Sequence, residues 1–440
     1  MRKKLYMFLA LVVAILLLSG CDLRTVGQMY CLPKRSDAFI DLQKLIDYAM
    51  DDADFSAPLS GNNLQAVQTA DLDGNGKDEY LVFAKGSNET PMHIYIFAAA
   101  EDGFVLLDSI ESTGAAFDRV EYADMDNRPG LEIIVGRQIG EQVVRSLSVY
   151  TLIDGQMEQL LSAPYTRFLC TKLDADAKQD LFVLRPGTEE PANGIAELYS
   201  YKDGSMIRYN EASMSQPSEN IKRLMVSKLY NGTPAVFVAS AVNDTSIVTD
   251  IFTMEFGLIK NVTLSGDYDS NVNTLRNYFV YADDIDFDGV LELPNLLEMK
   301  MPEDAVNAED RHLIRWYSVT TQGSAVTKMY TYHNFVGSWY LSLDPAVAER
   351  ITVSKQGNSY MFSIWNEDYT EFQTLMTVYV LTGQKREEQA TTGNRFVLRR
   401  TDTTVYAATL EVVSAEYGMS QQSLINDFHL IRQEWNNGIT

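Results

Sequence analysis

The feature that most constrains how this chain can fold is a short aspartate-rich loop that recurs along it, each time leading into a β-strand pattern. Asp71-Leu72-Asp73-Gly74-Asn75-Gly76-Lys77-Asp78-Glu79 opens onto Tyr80-Leu81-Val82-Phe83. Asp124-Met125-Asp126 leads through Pro129, Gly130 and Glu132 to Ile133-Ile134-Val135, and Asp174-Ala175-Asp176 leads through Gln179 and Asp180 to Leu181-Phe182-Val183-Leu184. Asp284-Ile285-Asp286-Phe287-Asp288-Gly289-Val290-Leu291-Glu292 is the clearest later copy. The starts are 53, 50 and 110 residues apart. The last gap spans two periods and places a member near residue 229, where Lys228-Leu229-Tyr230-Asn231-Gly232-Thr233-Pro234 precedes another apolar run, Ala235 to Ala239. After many copies an Asp-Gly pair sits between apolar stretches (Asp102-Gly103, Asp154-Gly155, Asp203-Gly204), which supplies the positive φ angles of a tight hairpin turn. Short apolar runs rich in β-branched and aromatic residues are strands, and continuous ones are strands buried on both faces. A repeat of about 50 residues with four strands has the size of a propeller blade. The expected fold is mainly β: a β-propeller of about five recognisable units over 64–335, preceded by a helix and lead-in over 37–63. After it, 336–440 is expected to be an α+β region or a final blade with an added helix, Ser420 to about Trp435.

The loop chemistry suggests a cation. Calcium takes six to eight oxygens from a flexible loop. Asp284, Asp286, Asp288 and Glu292 place carboxylates at positions 1, 3, 5 and 9, with Gly289 at the bend; Asp71, Asp73, Asn75 and Glu79 do the same with one neutral ligand. Without a cation the crowded carboxylates repel; the alternative is an Asx-turn device in which they accept hydrogen bonds from their own backbone. An EF-hand needs glutamate at position 12, where Val82 and Asn295 stand instead. The Asp-x-Asp-x-Asp/Asn-Gly-x-x-Glu loop followed by a strand resembles the FG-GAP (integrin-alpha) or VCBS propeller repeats. That resemblance covers roughly 64–300 and implies a propeller whose loops hold structural calcium through the eight residues just named. Arg128 and Pro129 in the second copy, and Lys178 and Phe182 at the fifth and ninth places of the third, argue against metal there; the copy at 229 has lost its acids. Loops that persist without ligands point to a duty that is first of all architectural.

The N-terminus gives an address. Arg2, Lys3 and Lys4 precede an uncharged apolar run, Leu5 to Leu18, and then Ser19-Gly20-Cys21. This is the layout of an export signal, and the run is short for a membrane-spanning helix. Small residues directly before cysteine resemble the lipobox of bacterial lipoproteins. The resemblance implies cleavage of residues 1–20, lipid on Cys21, and a tether over 21–36 holding the fold outside the cell membrane. Cys31 and Cys170 remain as a candidate disulfide. Next, Phe39, Leu42, Ile46 and Ala49 recur at helical spacing, predicting a helix over 37–50 packed on the main domain.

Net charge is −24, and removing the three signal cations leaves 33 basic against 60 acidic residues. Such a surface repels nucleic acid and anionic lipid head groups, so polyanion binding is excluded as a main role and nucleic acid as a partner. The four histidines are scattered, and neither a Gly-x-Ser-x-Gly elbow nor a phosphate-cradling glycine loop occurs. Trp316, Tyr317, Tyr330, Tyr332, Trp339 and Tyr340 form either a sugar-stacking platform or, as is commoner, strand core. The expectation is a non-enzymatic, membrane-anchored binding module for protein or glycan. The alternatives are a carbohydrate-active enzyme using a carboxylate pair in the propeller channel and a structural protein of the cell envelope.

Overall fold

In a computed structural model the described residues are 37–101, 103–140, 145–173, 178–188, 192–264, 274–277, 280–302 and 312–431. The signal, Cys21, the tether, Cys31, Asp174, Asp176 and Trp435 lie outside them.

The described residues build six antiparallel sheets in succession. The first holds β1 (Asp54–Phe55), β2 (Val67–Ala70), β3 (Glu79–Lys85), β4 (Met92–Ala100) and β5 (Gly103–Ser112), with β1 and β2 both paired to β3. The next three are four-stranded meanders: β6 (Ala116–Ala123) to β9 (Gln156–Pro164) through β7 (Glu132–Gln138) and β8 (Arg145–Ile153); β10 (Arg167–Thr171), β11 (Asp180–Arg185), β12 (Ile195–Lys202) and β13 (Ser205–Ser213); and β14 (Ile221–Lys228), β15 (Pro234–Ala241), β16 (Ile247–Glu255) and β17 (Leu258–Asn261). The fifth holds β18 (Leu293–Glu298), β19 (His312–Val319), β20 (Ala325–Asn334) and β21 (Trp339–Leu343). The sixth holds β22 (Ile351–Gln356), β23 (Ser359–Trp365), β24 (Phe372–Thr382), β25 (Phe396–Arg400) and β26 (Thr404–Leu410), with β26 between β24 and β25. The chain then returns: β27 (Phe428–Leu430) pairs with β21, adding a last strand to the fifth sheet.

Period-two alternation explains the stacking. In each second strand, successive residues point into different inter-sheet cores. Leu81 and Phe83 join Phe117, Ile133 and Val135. Ile134 joins Leu181 and Val183, Phe182 and Leu184 join Val236 and Val238, and Phe237 joins Leu293 and Tyr317. Tyr332, Trp339 and Leu341 join Phe362 and Ile364 of the sixth sheet. Both faces are therefore dry, as the continuous apolar runs predict. The row's first face is covered by α1 (Asp37–Met50), whose Leu42, Ile46 and Met50 pack on Val82, Ala84 and Phe97. The sheets thus stack as blades do, but among the described residues no buried apolar cluster joins the sixth sheet to the first, so ring closure is not seen.

The tight hairpins form as the Asp-Gly pairs predict: Asp154 and Gly155 have φ of 49° and 78°, and Asp203 and Gly204 have 51° and 91°. The fourth sheet uses Phe256-Gly257 at the same place, with φ of 53° and 76°.

Two expectations change. The hairpin of β20 and β21 spans residue 335, so the chain beyond 336 first completes the fifth sheet and then forms a sixth. The last helix is shorter than its apolar stripe predicts. Ser420 caps it through Ser423 N–H (3.1 Å), and it ends at Asp427. Phe428 then turns extended and stacks on Trp339, with ring centroids 5.3 Å apart. The aromatic group at 316–340 is core: Trp316, Tyr332 and Trp339 are fully buried, and Tyr317 and Tyr340 nearly so.

Candidate metal loops and an inner cavity

Each aspartate loop leads into a strand of its sheet, β3, β7 or β18, and its construction is the same in three sheets. The glutamate at the head of that strand is buried and reaches back to the backbone of the loop's second residue. Glu79 Oε2 accepts from Leu72 N–H (2.8 Å), Glu132 Oε2 from Met125 N–H (2.7 Å), and Glu292 Oε2 from Ile285 N–H (3.2 Å). The second residue is itself a buried apolar plug, at 3%, 0% and 4% exposure. Glu132 Oε1 and Glu292 Oε1 are held by hydroxyls of the following strand, Thr151 (3.0 Å) on β8 and Ser318 (2.9 Å) on β19.

Around that glutamate the aspartates fold inward. Asp71 accepts from Asn75 N–H (3.1 Å) and Gly76 N–H (2.9 Å); Asp284 accepts from Asp288 N–H (2.9 Å) and Gly289 N–H (3.0 Å). Asp73 and Asp286 each accept from the residue two positions on, at 3.0 and 3.3 Å. These are Asx turns, and each carboxylate oxygen retains a second lone pair. Three carboxylate groups bring oxygens within 4.8 Å of one another: Asp71, Asp73 and Glu79; Asp124, Asp126 and Glu132; and Asp284, Asp286 and Glu292. Several buried or half-buried acidic triads can therefore hold a metal ion.

The fit differs between loops. In the first, Asn75 turns its amide nitrogen to Asp73 (2.7 Å) and its carbonyl oxygen to Lys77 N–H (2.8 Å). In the last, Asp288 stands outside the carboxylate triad and pairs with Lys328 Nζ (2.5 Å), which also lies 3.4 Å from Asp286. A cation entering there must displace that ammonium. In the second, Arg128 binds Asp126 at 2.5 Å, so its three acids gather around a cation of the chain itself. This agrees with reading Arg128 as an obstacle to metal, although the acids do converge.

Burial sets the protonation of these glutamates. It pushes Glu132 and Glu292 up to about 7, with Asp126 and Asp286 adding to the rise, and it raises Glu79 as well. The hydrogen bond from Lys328 holds Asp288 below the usual carboxylate range. Calcium takes the ionised form, so binding must release protons.

The third loop is corrected by its pairing. Thr171 pairs with Asp180 as Ala70 pairs with Glu79 and Ala123 with Glu132. Asp180, not Phe182, therefore holds the ninth place, and it is fully buried. In the fourth sheet the acids are absent, yet Leu229 is the same buried plug, and its N–H donates to the Thr233 carbonyl (2.8 Å). A main-chain carbonyl does there what a glutamate does elsewhere.

A second feature lies where the first strands of consecutive sheets converge. A cavity of about 640 Å³ is bounded by β6, β10 and β14 and by the segment around Gly61. That segment is fixed on the free edge of β6: Leu59 N–H donates to the Phe117 carbonyl (3.1 Å) and Ser60 N–H to the Asp118 carbonyl (2.8 Å). On the wall Tyr165 donates to Asp118 (2.6 Å), beside Arg145 Nε at 3.6 Å. Asp118 is the one carboxylate among the lining residues. Cys170, on β10, is a free thiol pushed up to about 12 by burial. His333 is buried among aromatic rings and lowered to about 3 by desolvation, which suits packing rather than proton transfer.

No protein-family model matches the chain, and no curated protein matches it in sequence. The FG-GAP/VCBS resemblance therefore rests on the loop motif alone. Among solved structures, an exotype rhamnogalacturonan lyase, YesX, aligns at 10% identity over 72% of this chain and 76% of its own, with a TM-score of 0.28. A rhamnogalacturonan lyase of Bacillus licheniformis aligns at 12% identity over 70% of each chain, with a TM-score of 0.27. Overlaps this loose carry no argument about chemistry.

Proposed function

We propose that the chain is an extracytoplasmic binding module for a protein or glycan, anchored to the membrane by lipid on Cys21 and stiffened by structural calcium in the loops at 71–79 and 284–292. The observation that supports binding is the cavity at β6, β10 and β14. Its volume is in the range of small-ligand sites, and most of its lining residues stand on strands. Three stacked sheets hold those walls, so a ligand would meet a surface already in place. Asp118 has no second carboxylate beside it on the lining, which leaves the carboxylate-pair enzyme without support from this cavity.

The test has two arms. The purified full-length chain in detergent is screened on a glycan array, then compared with Asn62→Trp, which puts a large side chain into the cavity mouth. Saturable binding without product, lost in the variant, supports the module. Release of a shortened glycan that stops in Asp118→Asn would replace it with a catalytic reading. For the anchor, labelling of cells with palmitate should mark the wild-type chain and not Cys21→Ser; equal labelling of both would remove the lipid from the proposal.

A further inference from the structure

The cavity is basic in a chain whose acids outnumber its bases by 60 to 36. Arg119, Arg145, Arg167, Lys222 and Arg223 all line it, against the single carboxylate of Asp118. Three of these cations occupy one repeated place. Each first strand runs into a buried apolar residue at the start of its loop, Met125, Leu173 and Leu229. Six residues before that plug stand Arg119, Arg167 and Arg223, paired to Gly136, Leu184 and Ala239. The same position of three consecutive sheets therefore lines one cavity with arginine. In two of the sheets a register shift at Asp118 and at Lys222 immediately precedes the arginine. Bulges of this kind re-aim side chains and gather beside functional sites.

The charges are only partly answered from within. Arg119 pairs with Glu121 (2.6 Å) and lies over the Phe168 ring at 5.3 Å. Arg145 donates to the Thr166 carbonyl (3.2 Å), and so does Arg167 (3.1 Å). Arg223 lies over Tyr281 at 5.5 Å, and its Nε and Nη1 have no hydrogen-bond partner among the described residues. Partial burial and the neighbouring Arg145 lower Arg167 below the ordinary arginine range. Like charges held together at such a cost are what a site for the opposite charge requires. Guanidinium forks match the two oxygens of a carboxylate or phosphate.

We propose that this cavity takes a small ligand bearing two or more oxyanion groups, carboxylate or phosphate, gripped by Arg119, Arg167 and Arg223. The proposal deepens the binding reading above and rests on it. On a glycan the groups would be uronate carboxylates.

Calorimetric titration of the full-length chain in detergent with a trimeric uronate oligosaccharide, with pyrophosphate and with neutral maltotriose separates the possibilities. At least one charged probe should bind with a Kd below about 1 mM at low salt, weaken severalfold as salt rises to about 0.3 M, and weaken at least tenfold in Arg167→Gln and Arg223→Gln; maltotriose should not bind. Whichever charged probe binds names the source of the oxyanion. Because uncompensated cations repel, both variants should melt at or above the wild-type temperature. Should either fail to fold, the rim variant Lys222→Gln gives the same reading with a severalfold loss. Failure of both charged probes, or binding unchanged in the arginine variants, would overturn the proposal. A neutral glycan bound equally by wild type and variants would overturn it while leaving the binding module standing.

Discussion

The loop at 284–292 and the loop at 229–233 do the same structural task with different chemistry. In the first, a buried glutamate accepts from the Ile285 N–H and a ring of aspartates surrounds it. In the second, the Thr233 carbonyl accepts from the Leu229 N–H and no acid is present. The two share a buried apolar plug and a satisfied amide. The difference shows that the turn needs an acceptor for one amide and does not need a metal. The acids are an addition that makes a cation site possible and makes the turn sensitive to pH.

The plug should matter most. Leu229→Ala and Leu72→Ala are each expected to cost about 3 kcal/mol of stability in chemical denaturation, the cost of emptying a tightly packed site. A much smaller loss at Leu229 would break the equivalence of the loops. Calcium should come next. At a hundred times its Kd it raises stability by about 2.7 kcal/mol per site, and the rise should shrink in Asp71→Ala and Asp286→Ala; a chelator that leaves the melting curve unmoved reduces these loops to Asx turns. Third, Glu292→Ala orphans the Ile285 amide and the Ser318 hydroxyl and should cost about 2 kcal/mol. Thr233→Ala keeps its carbonyl and should stay within about 0.5 kcal/mol of wild type.

The pH dependence sharpens the comparison further. Glu132, lifted from 4.5 to about 7, holds its proton more tightly folded than unfolded. Its contribution is therefore present below about pH 4.5 and is lost as pH rises through about 7. Calcium-free wild type should lose stability relative to Glu132→Gln across that window; parallel melting curves from pH 4.5 to 8.5 would contradict it. The smallest effect concerns Lys328. Lys328→Met removes the ammonium that occupies Asp288 and should tighten calcium at 284–292 by about tenfold, or about 1.4 kcal/mol, leaving the loop at 71–79 unchanged.

Much of this is legible in the sequence because it is local. The second strands, the Asp-Gly hairpins and the helix Asp37–Met50 are set by short-range pattern and turn chemistry. The loop acids are legible for the same reason, as is Arg128 as an obstacle to metal, whereas its pairing with Asp126 comes from the structure. The features that escape depend on partners distant in sequence. The Asp-x-Asp text of the third loop suggests one alignment, whereas the pairing of Thr171 with Asp180 sets its register two residues away. Lys328 reaches Asp288 from another strand, 40 residues on, which no spacing rule anticipates. Phe428 and Ile431 fit a helical stripe, but packing against Trp339 outweighs the local period. The arginines of the cavity are within reach of the sequence: aligned on the apolar plugs Met125, Leu173 and Leu229, the residues Arg119, Arg167 and Arg223 fall into one column. Treated as mere lead-ins to the loops, the first strands hide that column.

The return of β27 to β21 has a consequence for the order of assembly. The sixth sheet is threaded between two strands of the fifth, so the fifth cannot be finished until residues 428–430 have emerged. A polypeptide leaving a ribosome or a translocation pore N-terminus first can complete its second, third and fourth sheets as they appear. The outer edge of β21, with Trp339 awaiting Phe428 and Tyr340 awaiting His429, stays open until residues 428–430 are delivered. An interrupted chain thus exposes a bare strand edge and the ring faces that Phe428 and His429 would cover, which are marks by which quality-control proteases and holding chaperones tell an unfinished molecule from a finished one.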